Sequence, residues 1–457
     1  MKIKRKVCVV GQGFVGLPMS IALSNSKNKL GELNFEVMGI EKNNSRGRYL
    51  QKKINSGNLP FKCEDNDIYK KFNQSFKNRN LYISTDLNDI KKSKIVIVSV
   101  GFDLNSKKKN SFNSLKNLFI DLAKKIEKKT LIIIETTLPP GTCNKIIYPL
   151  LISETFKRGF SKNDIILSYS YERIMPGYNY FDSIVNNYRV YSGINYQSKN
   201  KCKQFLKKIV NYKKYPLYEL NSNTECEFSK ILENSYRASN IAFIDEWTKY
   251  SKVAKVDLFN IINAIKKRKT HNNIMRPGLG VGGYCLTKDP SFAITSAKKI
   301  FKKSVIFPFV KLTMRTNNSM PLTSLDFIRD KVKTLKGKKV LILGLSYKEG
   351  IGDLRNSPSL ILYKKLEKLG AKVYAHDHLT DSFQKKRFKY VDSKKLRFKK
   401  YNVVIFCTPH KMYNNFNFKK IAKKIIFFDL NNVISEKNQN IIIKRKLNFF
   451  ILGKNNE

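Results

Sequence analysis

The sequence predicts an α/β protein in which two doubly wound parallel sheets, one at each end of the chain, are joined by a central helical domain with one long helix. Three observations predict it. Short apolar runs rich in Val and Ile alternate with helical patterns through the first part of the chain. The same alternation restarts near residue 326. Between them, apolar residues recur at helical spacing over a long stretch with no strand signal. At 457 residues the chain is too long for one hydrophobic core, so domains at 1–215, 216–325 and 326–457 are expected.

Residues 6–10 are an apolar, β-branched run, followed by Gly11-Gln12-Gly13-Phe14-Val15-Gly16 and a helical pattern through Leu17, Ile21 and Leu23. Strand, G-x-G-x-x-G and helix in that order make a Rossmann turn. It lays a pyrophosphate on the helix N-terminus, where free N–H groups and the dipole favour negative charge. The next strand, Phe35–Ile40, ends in Glu41. An acid there takes both ribose hydroxyls and repels a 2′-phosphate, so NAD is expected rather than NADP. Strands at 95–100 and 130–135, separated by a helix at 114–127, continue the sheet. Ligands sit at the C-terminal ends of such strands, which marks Ser99, Thr136, Thr137 and the turn Leu138-Pro139-Pro140-Gly141. A strand at 164–168 then leads into SYSYERIMPG. Glu172 at its end suits a general base or a water-orienting group; an ordinary loop ion pair with Arg173 is the other reading.

From Asn221 the pattern is helical for about thirty residues. Lys230 and Asn234 are four apart, hence on one face, with Glu227 and Arg237 nearby. An ammonium and an amide aimed at one point make an oxyanion site; a solvated helix face has the same spacing. Apolar Ile231, Tyr236, Ile241, Ile244 and Trp247 suit a dimer spine. A helix at 258–267 leads to a basic cluster in which Arg268 can meet a phosphate or sugar, while His271 stands isolated. Then comes GLGVGGYCLTKDP, Gly278 to Pro290. Its glycines let amides and a bulky substrate approach the sulfur of Cys285. A thiolate there is a strong nucleophile, and Lys288 or main-chain amides can lower its pKa. A buried cysteine closing a glycine turn is the plainer alternative.

Residues 329–336 read as a charged linker. The strand–turn–helix grammar then repeats in KKVLILGLSYK, SLILYKKLEKLG, AKVYAHD and NVVIFCTPH. This second Rossmann-like unit has GLSYKEGIGDLRNSPS in place of a full G-x-G-x-x-G. That favours a nucleotide-like ligand held by Lys348 and Arg355 over a second dinucleotide.

Composition narrows the classes. No window reaches the roughly 18 unbroken apolar residues of a membrane span, and the basic, then apolar N-terminus runs straight into the glycine turn, so it reads as a strand rather than a signal peptide. Seven cysteines without paired spacing argue against a disulfide framework and a zinc site; a reducing compartment, the cytoplasm, is expected. The net charge of +53 raises the question of nucleic acid. Yet lysines are scattered through every segment with no basic tail, so a general compositional bias explains them better.

The motifs VCVVGQGFVGLP, IIIETTLPPGT, SYERIMPG, KILENSYRASNIAFIDE, GLGVGGYCLTKDP and GLSYKEGIGDLRNSPS, in this order over nearly the whole chain, resemble the UDP-glucose/GDP-mannose dehydrogenase family. The resemblance implies four-electron oxidation of a nucleotide sugar at C6, with two NAD⁺ and no metal. It implies that Cys285 forms a thiohemiacetal and then a thioester. Lys230 and Asn234 would stabilise the oxyanion, Thr137 and Glu172 would position water or shuttle protons, and Asp289 would assist near the sulfur. Gly11, Gly13, Phe14, Val15, Gly16, Glu41, Ser99 and Thr137 would hold NAD. Arg173, Arg237, Arg268, Gly282, Tyr347, Lys348 and Arg355 would hold the nucleotide sugar, Arg268 across a homodimer or higher homo-oligomer. ER-x-x-PG and Arg237 resemble the branch acting on UDP-N-acetylhexosamines, and Pro176 stands where UDP-glucose enzymes carry a second glutamate. Lys288-Asp289-Pro290 is closer to the UDP-glucose branch. A UDP-N-acetylhexosamine is therefore the favoured substrate, UDP-glucose the alternative, and surface polysaccharide synthesis the implied use. A β-hydroxyacid-type dehydrogenase would need neither Cys285 nor a second nucleotide-binding unit. A non-catalytic basic nucleotide or nucleic-acid binder would not need Lys230, Asn234 and Cys285 together.

Overall fold

In the computed structural model, residues 5–104 and 111–454 are described. The chain divides into two units: Met1–Pro60 with Asp65–Glu233 and Ser291–Ile306, and Phe61–Glu64 with Asn234–Pro290 and Phe307–Glu457. The helix Asn223–Ala254 is continuous through the change at 233/234.

The first unit is built on eight strands: β1 (Arg5–Val10), β2 (Phe35–Ile40), β3 (Leu81–Ser84), β4 (Ile95–Val98), β5 (Leu131–Ile134), β6 (Ile166–Tyr169), β7 (Val190–Gly193) and β8 (Tyr218–Glu219). Their order is β3-β2-β1-β4-β5-β6-β7-β8. The first six follow the doubly wound dinucleotide order, in which the sheet reverses direction of travel between β1 and β4. All neighbours are parallel except β6 and β7. Strands β4 and β5 are apolar at every position because both faces are covered. One face packs Val96, Val98, Ile132 and Ile134 with Phe102, Phe119 and Phe292.

The second unit carries β9 (Lys339–Leu343), β10 (Lys372–His376), β11 (Val403–Phe406), β12 (Ile426–Asp429) and β13 (Asn448–Ile451). All pair in parallel, in the order β10-β9-β11-β12-β13. This is the other common doubly wound order, with its switch point between β9 and β11. Val340 and Ile342 enter one apolar layer and Leu341 and Leu343 the other, as strand alternation requires.

The sequence reading differs from this fold in a few elements. The short strands β3, β7, β8, β12 and β13 were not anticipated. The first of the predicted linker residues close a 24-residue helix, Pro308–Lys331. Pro321 interrupts that helix's sequence pattern, while Pro308 sits in the first turn, where a missing N–H costs nothing. Among the described residues, no helix is long and apolar enough to cross a membrane.

Candidate functional site

In the first unit the dinucleotide turn follows β1. Gly11 has φ +92°, and a Cβ there would lie 2.7 Å from the Ser99 carbonyl oxygen. A Cβ on Gly16 would meet the Gly11 carbonyl at 1.8 Å. Only glycine lets the turn, β4's end and the first helix, Gly16–Ser24, close on one another. Gly13 has open space where its side chain would be, the feature a pyrophosphate needs. Glu41 Oε1 accepts the Gln12 N–H at 2.5 Å, which fixes this acid to the turn itself. Phe14 and Val15 are half-buried there, and the Phe14 carbonyl accepts from the Tyr180 hydroxyl. These residues fit a dinucleotide.

Beside β5, Thr137 is half-buried and Thr136 Oγ1 donates to the Val98 and Val100 carbonyls. The turn after it is braced by a residue that spacing did not single out for a role. Glu227, fully buried, accepts the N–H groups of Gly141 at 2.6 Å and Cys143 at 2.8 Å. Burial pushes its carboxyl up to about 8, against the pull of the Cys143 thiol and those N–H groups. After β6, Glu172 is buried and accepts the Ile174 N–H. Lys230, also buried, donates to the Glu172 carbonyl at 2.8 Å and lies 5.2 Å from the Tyr171 ring centre. A buried ammonium held by a main-chain carbonyl is the kind of group that stabilises a developing oxyanion. Arg173 grips Glu233 with Nε and Nη2, at 2.8 to 3.2 Å, so its fork is already engaged. Beneath the site, Arg189 and Glu135 form a pair 2% exposed on each side. Burial pushes the Glu135 carboxyl up to about 7 against the opposing pull of Arg189.

In the second unit, Cys285 is the one exposed cysteine of the seven; the other six are buried. The glycines before it serve packing more than access. A Cβ on Gly282 would come 2.5 Å from Tyr347 Cβ, and one on Gly283, at φ +82°, 2.7 Å from the Tyr347 ring. The loop is further held by Gly283 N–H to the Arg355 carbonyl at 2.9 Å and by Asn356 Nδ2 to the Gly283 carbonyl at 2.9 Å. Lys288 pairs with Asp289 Oδ1 at 2.6 Å. Asn234 Nδ2 reaches Asp289 Oδ2 at 2.7 Å. The fully buried Asp289 thus spans Lys288 and Asn234 and fixes the amide's orientation. The cation in electrostatic reach of Cys285 is Arg355, which Asp353 holds at 2.6 Å.

At the switch point of the second sheet, Lys348 is half-buried, and burial with the nearby Arg237 charge lowers its pKa from the usual lysine value, against Glu349. Lys348 and Arg237 together suit a diphosphate. Arg268 is exposed on the turn Lys269–His271.

Comparison with known proteins places the chain in a family. The NAD binding domain of the UDP-glucose/GDP-mannose dehydrogenase family matches residues 5–214, its central domain 224–319 and its UDP binding domain 341–436. The chain is 27% identical to a UDP-N-acetyl-D-mannosamine dehydrogenase of Methanocaldococcus jannaschii, over 99% of this chain and 97% of that one. Among solved structures, the UDP-D-ManNAc dehydrogenase of Pyrococcus horikoshii superposes with a TM-score of 0.81 at 25% identity, covering 99% of this chain and 100% of the other. The UDP-N-acetyl-mannosamine dehydrogenase of Staphylococcus aureus does so with 0.76 at 25% identity, covering 98% of each. With a glycine turn fitted for NAD at one end, a basic switch point at the other and family matches through all three parts, this chain is an oxidoreductase that belongs to the UDP-glucose/GDP-mannose dehydrogenase family.

Proposed function

We propose that this enzyme oxidises the C6 alcohol of a UDP-N-acetylhexosamine, of the mannosamine configuration, to the uronic acid through a thioester on Cys285. The observation that carries the chemistry is the exposed Cys285 on a braced loop whose Asp289 holds Asn234. The sugar rests on the named relatives and on ER-x-x-PG at Glu172.

NAD supplies the hydride acceptor at each of two oxidations. The residues do the rest. Lys230 and Asn234, one helical turn apart, stabilise the alkoxide as C6 becomes an aldehyde. The Cys285 thiolate adds to the aldehyde carbon, giving a thiohemiacetal whose oxyanion meets the same donors. Loss of the second hydride leaves a thioester. Water, oriented by Glu172 and Thr137, attacks it, and the thiolate departs. The sum is alcohol, water and two NAD⁺ giving carboxylate, two NADH and three protons. The Lys348, Arg237 and Arg355 cations hold the nucleotide diphosphate, with Tyr347 and Gly282 shaping the loop beside them.

A three-domain division at 1–215, 216–325 and 326–457, a cytoplasmic setting and a surface-polysaccharide destination for the uronic acid complete this reading. So does a homodimer along the long helix, supported by exposed Tyr236, Phe243, Trp247 and Tyr250.

The test is NADH yield from limiting sugar. UDP-ManNAc should release two NADH per molecule and leave a carboxylate. UDP-GlcNAc, UDP-GalNAc and UDP-glucose in parallel resolve the sugar, and two NADH from UDP-glucose alone would install the alternative. One NADH per sugar would remove the thioester from the mechanism.

A further inference from the structure

Three of the four histidines lie close together in the C-terminal part of the chain, and none has a part in the oxidation. His378 and His410 meet edge to face, ring centres 5.0 Å apart. Glu64, 314 residues from His378 in sequence, faces them with Oε1 2.8 Å from His378 Nε2. One ligand-capable atom from each of Glu64, His378 and His410 lies within 4.8 Å of the others. All three belong to the second unit: residues Phe61–Glu64 pack with it, tied by Glu64 N–H to the Gly350 carbonyl at 2.8 Å and Gly352 N–H to the Lys62 carbonyl at 3.0 Å.

Two features go beyond proximity. Glu64 Oε2 and His378 Nδ1 are both buried atoms without a hydrogen-bond partner among the described residues. Buried polar atoms are almost always satisfied, so two orphans in one cluster call for a ligand that accepts both lone pairs. His410, itself fully buried, sets Nε2 3.2 Å from the buried carboxylate of Asp377. A carboxylate behind an imidazole fixes the ring and its tautomer, the arrangement that supports a metal-bound histidine. The other nitrogen, Nδ1, accepts a hydrogen bond of 3.2 Å from the Gly350 N–H, which an ion at that atom would displace.

We propose that Glu64, His378 and His410 form a structural site for a divalent ion of the zinc class. Two imidazoles and a carboxylate are a borderline-soft donor set, with water as fourth ligand. Zinc holds such atoms about 3.3 Å apart, so binding would draw the three together from their present spacing within 4.8 Å. The ion clips residues 61–64 to the second sheet across a very long loop, where cross-linking has its largest entropic effect.

The test uses the untagged full-length protein stripped by chelator, with Cys285 alkylated so that the exposed thiol does not compete. Zn²⁺ is titrated against a chromophoric chelator, and Co²⁺ reports geometry by visible absorption. The expected result is one ion per chain, the intense bands of four-coordinate Co²⁺, and a rise in unfolding temperature with Zn²⁺. His378→Gln and Glu64→Gln should each weaken binding more than about 100-fold and abolish that rise. Glu64→Gln, on the partly exposed rim, decides alone if His378→Gln does not fold. Weak binding of several ions, or tight binding that both variants keep, overturns the proposal.

Discussion

At the scale of single residues, the proposed mechanism asks for an accessible nucleophile and desolvated donors. Cys285 is exposed while Lys230, Asn234 and Asp289 are buried. Cys285→Ala should abolish acid formation while UDP binding persists, measured by product analysis and calorimetry. Lys230→Ala should lower kcat by about 10² or more, as loss of an oxyanion donor does; near-wild-type turnover would remove it from the mechanism. Lys348 gives a pH signature. Burial and then Arg237 lower its pKa against Glu349, so it sheds its charge at lower pH than an ordinary lysine. Affinity for UDP should therefore fall on the alkaline side as Lys348 deprotonates, and Lys348→Met should flatten that limb while weakening binding throughout.

At the scale of elements, the Gly11–Gly16 turn was legible because sterics alone demand glycine there. Glu41 was picked out by its place at the end of β2, and the structure shows it accepting the Gln12 N–H of that turn. Gly11→Ala should place a Cβ against Ser99 at strained φ, costing about 1–3 kcal/mol in a urea melt and weakening NAD measurably; unchanged NAD affinity would show that the turn relaxes. Glu227 was visible only as a neighbour on the helix face. Its partners are main-chain N–H groups of a turn 86 residues earlier, and no periodicity records a bond of that kind. The Lys288–Asp289 pair, between neighbours in sequence, was equally invisible to spacing. The short strands escaped because two to four residues, such as LYIS in β3 or YE in β8, do not distinguish a strand from a turn. On the long helix, Trp247→Glu should shift the protein toward monomer in sedimentation velocity, while an unshifted boundary would rule that face out as a dimer interface.

At the scale of the whole molecule, neither unit is one stretch of sequence. The first needs Ser291–Ile306 to be complete, and Phe292 from that stretch is fully buried among Phe102, Ile132 and Ile134. Ser296 adds a hydrogen bond of 2.7 Å to the Pro140 carbonyl. During synthesis, then, the dinucleotide turn leaves the ribosome first, yet the core beneath its sheet must wait for residue 292. No single cut in the gene yields an intact half. The chain passes its cysteine loop between the last two pieces of the first unit, so the nascent protein can finish its cofactor-binding half only after Cys285 has been made.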